Sequence, residues 1–123
     1  MNQKNWLKWA RALESGKYKQ GHYNLQKAGR YCCLGVACEL AIADGVEIQR
    51  KECSESRIRY DDASCYLQVK VQNWLGITVN DPCLGDRPAS YMNDIDNATF
   101  PEIAKAIRAE VRTWKRKQKD LST

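Results

Sequence analysis

The sequence predicts an α+β fold: a single compact domain over residues 1–123, with three to four helices around a buried cysteine-rich helix and a small antiparallel sheet. Three observations carry that expectation. Segments near both ends of the chain repeat apolar residues at three-and-four spacing, the period of a helix with one buried face. Between them CCLGVACELAIA, Cys32 to Ala43, is apolar nearly all round, which marks a helix running through the middle of a core. The remaining apolar pieces are short and broken by Gly, Asn, Asp and Pro, as short strands and turns require.

The first helix is expected from about Gln3 to Ser15, where Trp6, Trp9, Ala10 and Leu13 form the buried stripe and Lys4, Lys8 and Arg11 the outer face, with Gly16 ending it. A loop from Lys17 to Gly21 leads to an extended piece, His22 to Gln26, and an Ala-Gly turn within Lys27 to Arg30 that permits a hairpin. In the cysteine-rich helix, free Cys acts as a small hydrophobe, and Gly35 and Ala37 invite a neighbouring element close. Asp44-Gly45 closes it, and Val46 to Ile48 and Ile58 to Tyr60 alternate weakly, as short strands around a polar loop. Leu67, Val71, Trp74 and Leu75 predict a helix from Tyr66 to Leu75, stopped by Gly76. Residues 77–92 read as two short extended pieces, and Asn93 to Asn97 as a loop. The final helix has a capping box, Thr99 with Glu102, a first-turn Pro101, and a stripe of Ile103, Ile107, Val111 and Trp114.

Composition narrows the function classes. The chain is 43% hydrophobic and 28% charged, ordinary for a soluble protein, and no apolar run approaches the roughly 20 residues of a membrane span. The segment MNQKNWLKWARALE is amphipathic, without the order of a secretory signal, so a cytoplasmic location is expected and the six cysteines read as free thiols. Cys32, Cys33 and Cys38 stand close together, but no second knuckle or His pair follows, so no metal site and no cofactor are expected. Net charge is +5, with basic ends and an acidic middle, a balance that favours an anionic partner and also suits a solvated surface.

Candidate chemistry falls into two sets. A Cys33 nucleophile with His22, the one histidine, is a legal enzyme constellation, but thiols opening an apolar helix are usually core; no catalytic residue is assigned and an enzyme is not expected. Asp61-Asp62 and Asp94-Asp96 read as turn formers. A nucleotide site wants cations for phosphate, a flat ring for the base and amide or carboxylate groups for its edges. Lys17, Tyr18, Lys19 and Gln20 supply these types together, Arg30 and Tyr31 stand at the end of the next turn, and Asn93 and Asp94 can join them if the first and last helices pack together. The final helix also carries Lys105, Arg108, Arg112, Lys115, Arg116 and Lys119 opposite its stripe, a solvated face or a nucleic-acid surface without interleaved aromatics.

Trp9 to Gly21 reads W-x-x-A-L-x-S-G-x-Y-x-Q-G, Tyr31 to Leu40 reads Y-C-C-L-G-V-x-C-x-L, and W-L-G-I at Trp74, N-D at Asn93 and F-x-E-I-A-x-x-I at Phe100 follow in order. This arrangement resembles a family of small proteins carried by bacteriophages and prophages, compact and largely without an assigned activity. The resemblance implies an accessory protein in the host bacterial cytoplasm that counters antiviral defence. A nucleic-acid mimic would be acidic and this chain is basic, so the expectation is sequestration of a nucleotide-derived signal, cyclic or ADP-ribose-type; the high count of aromatic and apolar residues on a small chain adds the expectation of a homo-oligomer. The alternatives are blocking a host defence protein and a nucleic-acid-binding accessory role.

Overall fold

The chain enters α1 (Gln3–Glu14) through Asn2, whose side chain accepts the Asn5 N–H at 3.1 Å. In the computed structural model, which describes residues 1–121, a hairpin follows, β1 (Gln26–Lys27) and β2 (Arg30–Tyr31), then the central α2 (Cys33–Ala43). Next come β3 (Arg50–Glu52), β4 (Arg57–Tyr60) and α3 (Val69–Leu75). A second hairpin, β5 (Cys83–Leu84) with β6 (Arg87–Pro88), leads into α4 (Ala89–Asp94) and the long α5 (Phe100–Leu121). Residues 122 and 123 of the predicted domain lie outside the described residues. The fold class is α+β as expected, with five α-helices among the described residues and a four-stranded antiparallel sheet in the order β2-β1-β4-β3.

Cys33, Leu34, Gly35, Val36, Ala37 and Cys38 are all buried, so α2 runs through the core. Tight backbone packing holds it there: a Cβ built on Gly35 would lie 1.8 Å from the Leu25 carbonyl oxygen. Only a residue without a side chain lets the loop backbone cross α2 at that point. Around it, α1 donates two indole N–H bonds into the core, Trp9 Nε1 to the Cys33 carbonyl and Trp6 Nε1 to the Leu75 carbonyl, both at 2.9 Å. Buried indoles need such partners, and these bonds fix α1 against α2 and α3. Helix α5 lies along α1 and buries Phe100, Ile103, Ala104, Ile107 and Val111; Trp114, the last residue of the expected stripe, is half-buried.

The structure moves several expected boundaries. The first strand of the middle section is Arg50–Glu52, not Val46 to Ile48. At the end of α2, Gly45 N–H donates to Ile42 and Val46 N–H to Ala41, a Schellman closure that folds Val46 back onto the helix, so pairing with β4 begins only beyond it. Helix α3 starts at Val69 rather than Tyr66, because Leu67 N–H donates to the Asn80 carbonyl and Gln68 is the N-cap. His22 to Gln26 is extended only at Gln26; the segment before it is a series of bends. Residues 89–94 form α4, where the end of an extended piece (to residue 92) and the start of a loop (from Asn93) were expected. Pro88 at its N-cap offers no side-chain acceptor, and Asp81, nine positions before Ser90, accepts the Ser90 N–H and hydroxyl instead.

Gly35→Ala is expected to destabilise the protein by about 3 kcal/mol or more, the upper end of what overpacking costs, because the obstacle is backbone on both sides. Urea denaturation checks it.

Candidate functional site

The loop after α1 and the β1–β2 hairpin meet through the backbone. Tyr31 N–H donates to the Lys19 carbonyl at 2.8 Å and Gly21 N–H to the Tyr31 carbonyl at 2.7 Å, so the loop runs as a short parallel companion of β2. Five of the residues expected to bind a ligand thereby line one open cleft of about 630 Å³: Lys17, Tyr18, Lys19, Arg30 and Tyr31, with Ala28, Gly29 and Glu39. The Tyr18 and Tyr31 rings meet edge to face, centroids 5.2 Å apart at 86°, and Lys17 Nζ stands 5.7 Å from the Tyr18 ring centre.

Glu39 is a cleft residue that sequence reasoning missed. Burial works to raise its pKa, but hydrogen bonds from Arg50 and Tyr60 and the Arg50 charge outweigh that and hold it below the usual carboxylate value. Arg50 grips it with both prongs, Nε at 2.9 Å and Nη2 at 2.6 Å. The Tyr60 hydroxyl lies 2.6 Å from Glu39 Oε2 and 3.0 Å from Gln26 Oε1, and its single proton goes to the closer, charged acceptor. Gln26 Nε2 in turn donates to the Tyr31 hydroxyl at 3.0 Å, so this network sets the ring that backs the cleft. Burial and the Glu39 charge push the Tyr18 and Tyr31 phenols up, keeping both protonated. Among the described residues Lys17, Lys19 and Arg30 have no carboxylate partner. The one carboxylate of the cleft is neutralised by Arg50, so the surface is net cationic.

The other three expected residues go elsewhere. Asn93 is fully buried, and its amide is spent on the fold. Oδ1 accepts from Gln20 Nε2 at 2.9 Å and from Cys33 N–H at 3.2 Å, while Nδ2 donates to the Gly21 carbonyl at 2.9 Å and to Asp94 Oδ1 at 2.7 Å. The Cys33 bond caps α2, whose own N-cap, Cys32, makes no side-chain cap. Gln20 is held by Asn93 and by the Ala98 carbonyl, facing away from the cationic cleft. Asp94 lines a separate cleft with Tyr23, Cys65, Tyr66 and Ser90.

Cys32, Cys33 and Cys38 are core residues. Burial pushes the Cys32 thiol up to about 12 and the other two well above the usual value, and Cys33 Sγ donates to the Ala89 carbonyl at 3.5 Å. Thiols held protonated are poor nucleophiles and poor metal ligands. His22 is exposed at the surface, while Cys33 is sealed in the interior. Among the described residues no group of three or more His, Cys, Asp and Glu side chains is arranged to hold a metal ion. Among the described residues no helix is long and apolar enough to cross a membrane.

Two outcomes follow. A thiol-labelling assay at neutral pH is expected to count exposed Cys65 and Cys83 quickly, half-buried Cys53 more slowly, and Cys32, Cys33 and Cys38 only after denaturation; rapid labelling of Cys33 would contradict its assignment to the core. Asn93→Ala is expected to cost about 3 kcal/mol of unfolding free energy with no ligand present, because it strands Gln20, the Cys33 N–H and the Gly21 carbonyl in the interior.

Comparison with known proteins adds one finding. No curated protein and no solved structure matches the chain. A family model described as Domain of unknown function (DUF8296) matches residues 1–112, and the chain belongs to that family.

Proposed function

We propose that this protein binds a nucleotide-derived anion in the Lys17–Arg30 cleft and acts as a phage accessory protein, sequestering an immune signal of its host. The observation that carries the reading is the charge of that cleft: three cations without carboxylate partners beside two tyrosine rings, with the only acid neutralised. Phosphate oxygens are drawn to Lys17, Lys19 and Arg30, and a flat base gains from the aromatic surface of Tyr18 and Tyr31. The volume, about 630 Å³, falls in the range of small-molecule sites. The defence role rests on the resemblance to phage accessory proteins and on the basic balance of the chain. Holding a ligand requires no reacting group, in keeping with a site built of cations and phenols.

A second reading has its own observation. On α5, Lys105, Arg112, Lys115 and Arg116 lie on one side of the helix, have no ion-pair partner among the described residues, and continue beyond Val111, its last buried residue. Such a stripe suits contact with a nucleic-acid backbone, and its binding falls steeply with salt.

Isothermal titration against cyclic and ADP-ribose-type nucleotides distinguishes the readings. A member of the panel is expected to bind and to be recovered chemically intact by mass spectrometry. Lys17→Ala with Lys19→Ala is expected to weaken it by about tenfold or more, and Arg112→Ala with Lys115→Ala to leave it unchanged. If no nucleotide binds, and a duplex oligonucleotide binds through Arg112 and Lys115, the second reading replaces the first.

A further inference from the structure

We propose that the cleft around Asp94 is a second binding site, selective for a guanidinium group. It is bounded by Tyr23, Cys65, Tyr66, Ser90 and Asp94, and at about 310 Å³ it is half the volume of the Lys17–Arg30 cleft, at the low end for a small-molecule site. No cation lines it. What it presents is two aromatic surfaces and a set of acceptors.

Each wall suits an N–H-bearing cation. Tyr23 is 63% exposed and Tyr66 48% exposed, large amounts of open phenol for residues fixed in a concave surface. Aromatic faces attract cations, arginine most often, through the ring quadrupole. Asp94 supplies the charge. Its Oδ1 is occupied by the Tyr23 N–H at 3.0 Å and by Asn93 Nδ2 at 2.7 Å, but Oδ2 has no hydrogen-bond or ion-pair partner among the described residues. The Ser90 hydroxyl donates its proton to Asp81 Oδ2 at 2.5 Å, so toward the cleft its oxygen is an acceptor only. A planar guanidinium, with donors in a fork and two faces for stacking, satisfies a free carboxylate oxygen, a hydroxyl oxygen and two rings together.

The backbone carries an independent sign. Tyr23 has φ +69°, a left-handed conformation that a bulky residue avoids, and the Asp94 bond to its N–H holds it there. Such strain persists only where surroundings impose it, and it collects at binding sites. Here it fixes an aromatic ring beside a half-free carboxylate.

The guanidinium can come from a free arginine-like metabolite or from an arginine on a partner protein. An NMR titration of the ¹⁵N-labelled chain under reducing conditions separates them, using L-argininamide, the peptide acetyl-Gly-Arg-Gly-amide, and the citrulline peptide as uncharged control. Saturable shifts at the amides of Tyr23, Cys65, Tyr66, Ser90 and Asp94 are expected with the arginine probes and not with citrulline. Tighter binding of the peptide identifies a protein-borne arginine, and tighter binding of argininamide a metabolite. Asp94→Asn keeps an oxygen for the Tyr23 N–H and removes the charge; it is expected to weaken binding by about tenfold or more. Tyr66→Ala, at an exposed position, is expected to weaken it too, and serves alone if the Asp94 variant does not fold. The site is overturned if neither arginine probe saturates, if citrulline binds equally, or if a folded variant binds like the parent. Lys17→Ala with Lys19→Ala leaves this binding unchanged, so the nucleotide reading and this one fail separately.

Discussion

The buried amide of Asn93 is the interaction on which the arrangement of this protein depends. It accepts from Gln20 and the first N–H of α2, and donates to the Gly21 carbonyl and the Asp94 carboxylate. One side chain thus ties the loop after α1, the start of the central helix and the end of α4 into a single unit. The Cys33 N–H and the Gly21 carbonyl it holds are buried where water cannot replace it, so the contact acts as a constraint on position as much as a source of stability. It anchors Gln20 and Gly21, the far end of the loop whose backbone bonds to Tyr31 set Lys17 to Lys19 beside the hairpin. The same anchor divides the surface, with Tyr18 and Tyr31 on one side and Asp94 on the other.

The central helix shows how a cysteine-rich segment can be purely structural. Cys33 and Cys38 are fully buried on a helix packed against α1, α3 and α4, and burial keeps their thiols protonated and unreactive. Gly35 matters more for shape than any of the thiols, because the Leu25 carbonyl occupies the space a side chain would take. Indole hydrogen bonds from α1 then lock the helix from outside, Trp9 to the Cys33 carbonyl among them. Stability and placement arise from backbone proximity and satisfied polar groups together.

Charge is segregated on the finished surface. The Lys17–Arg30 cleft is cationic because Arg50 cancels Glu39, whereas the Asp94 cleft has acceptors and no cation. Two clefts on a chain of 123 residues thus present opposite electrostatic surfaces. Each depends on a side chain whose partner is remote in sequence: Glu39 on Arg50, Asp94 on Tyr23.

The sequence by itself determined whatever is governed by neighbours one or two turns apart. The stripe of α1, the all-round apolar α2, the capping box of α5 with Thr99 and Glu102, and the Ala28-Gly29 turn were all legible, since periodicity and caps are local. So were Lys17, Tyr18, Lys19, Arg30 and Tyr31 as a group of compatible types. Only the tertiary structure decided what Gln20, Asn93 and Asp94 do, and why α4 exists. Helices α2 and α4 begin at Cys32 and Pro88, which provide no side-chain cap, and borrow acceptors from Asn93 and Asp81. A borrowed cap leaves no trace in the local pattern, so Asn93 looked like a polar group in search of a ligand when its partner was the backbone of another helix. A buried amide and a free one are the same letter in a sequence; packing alone determines which hydrogen bonds water is no longer present to make.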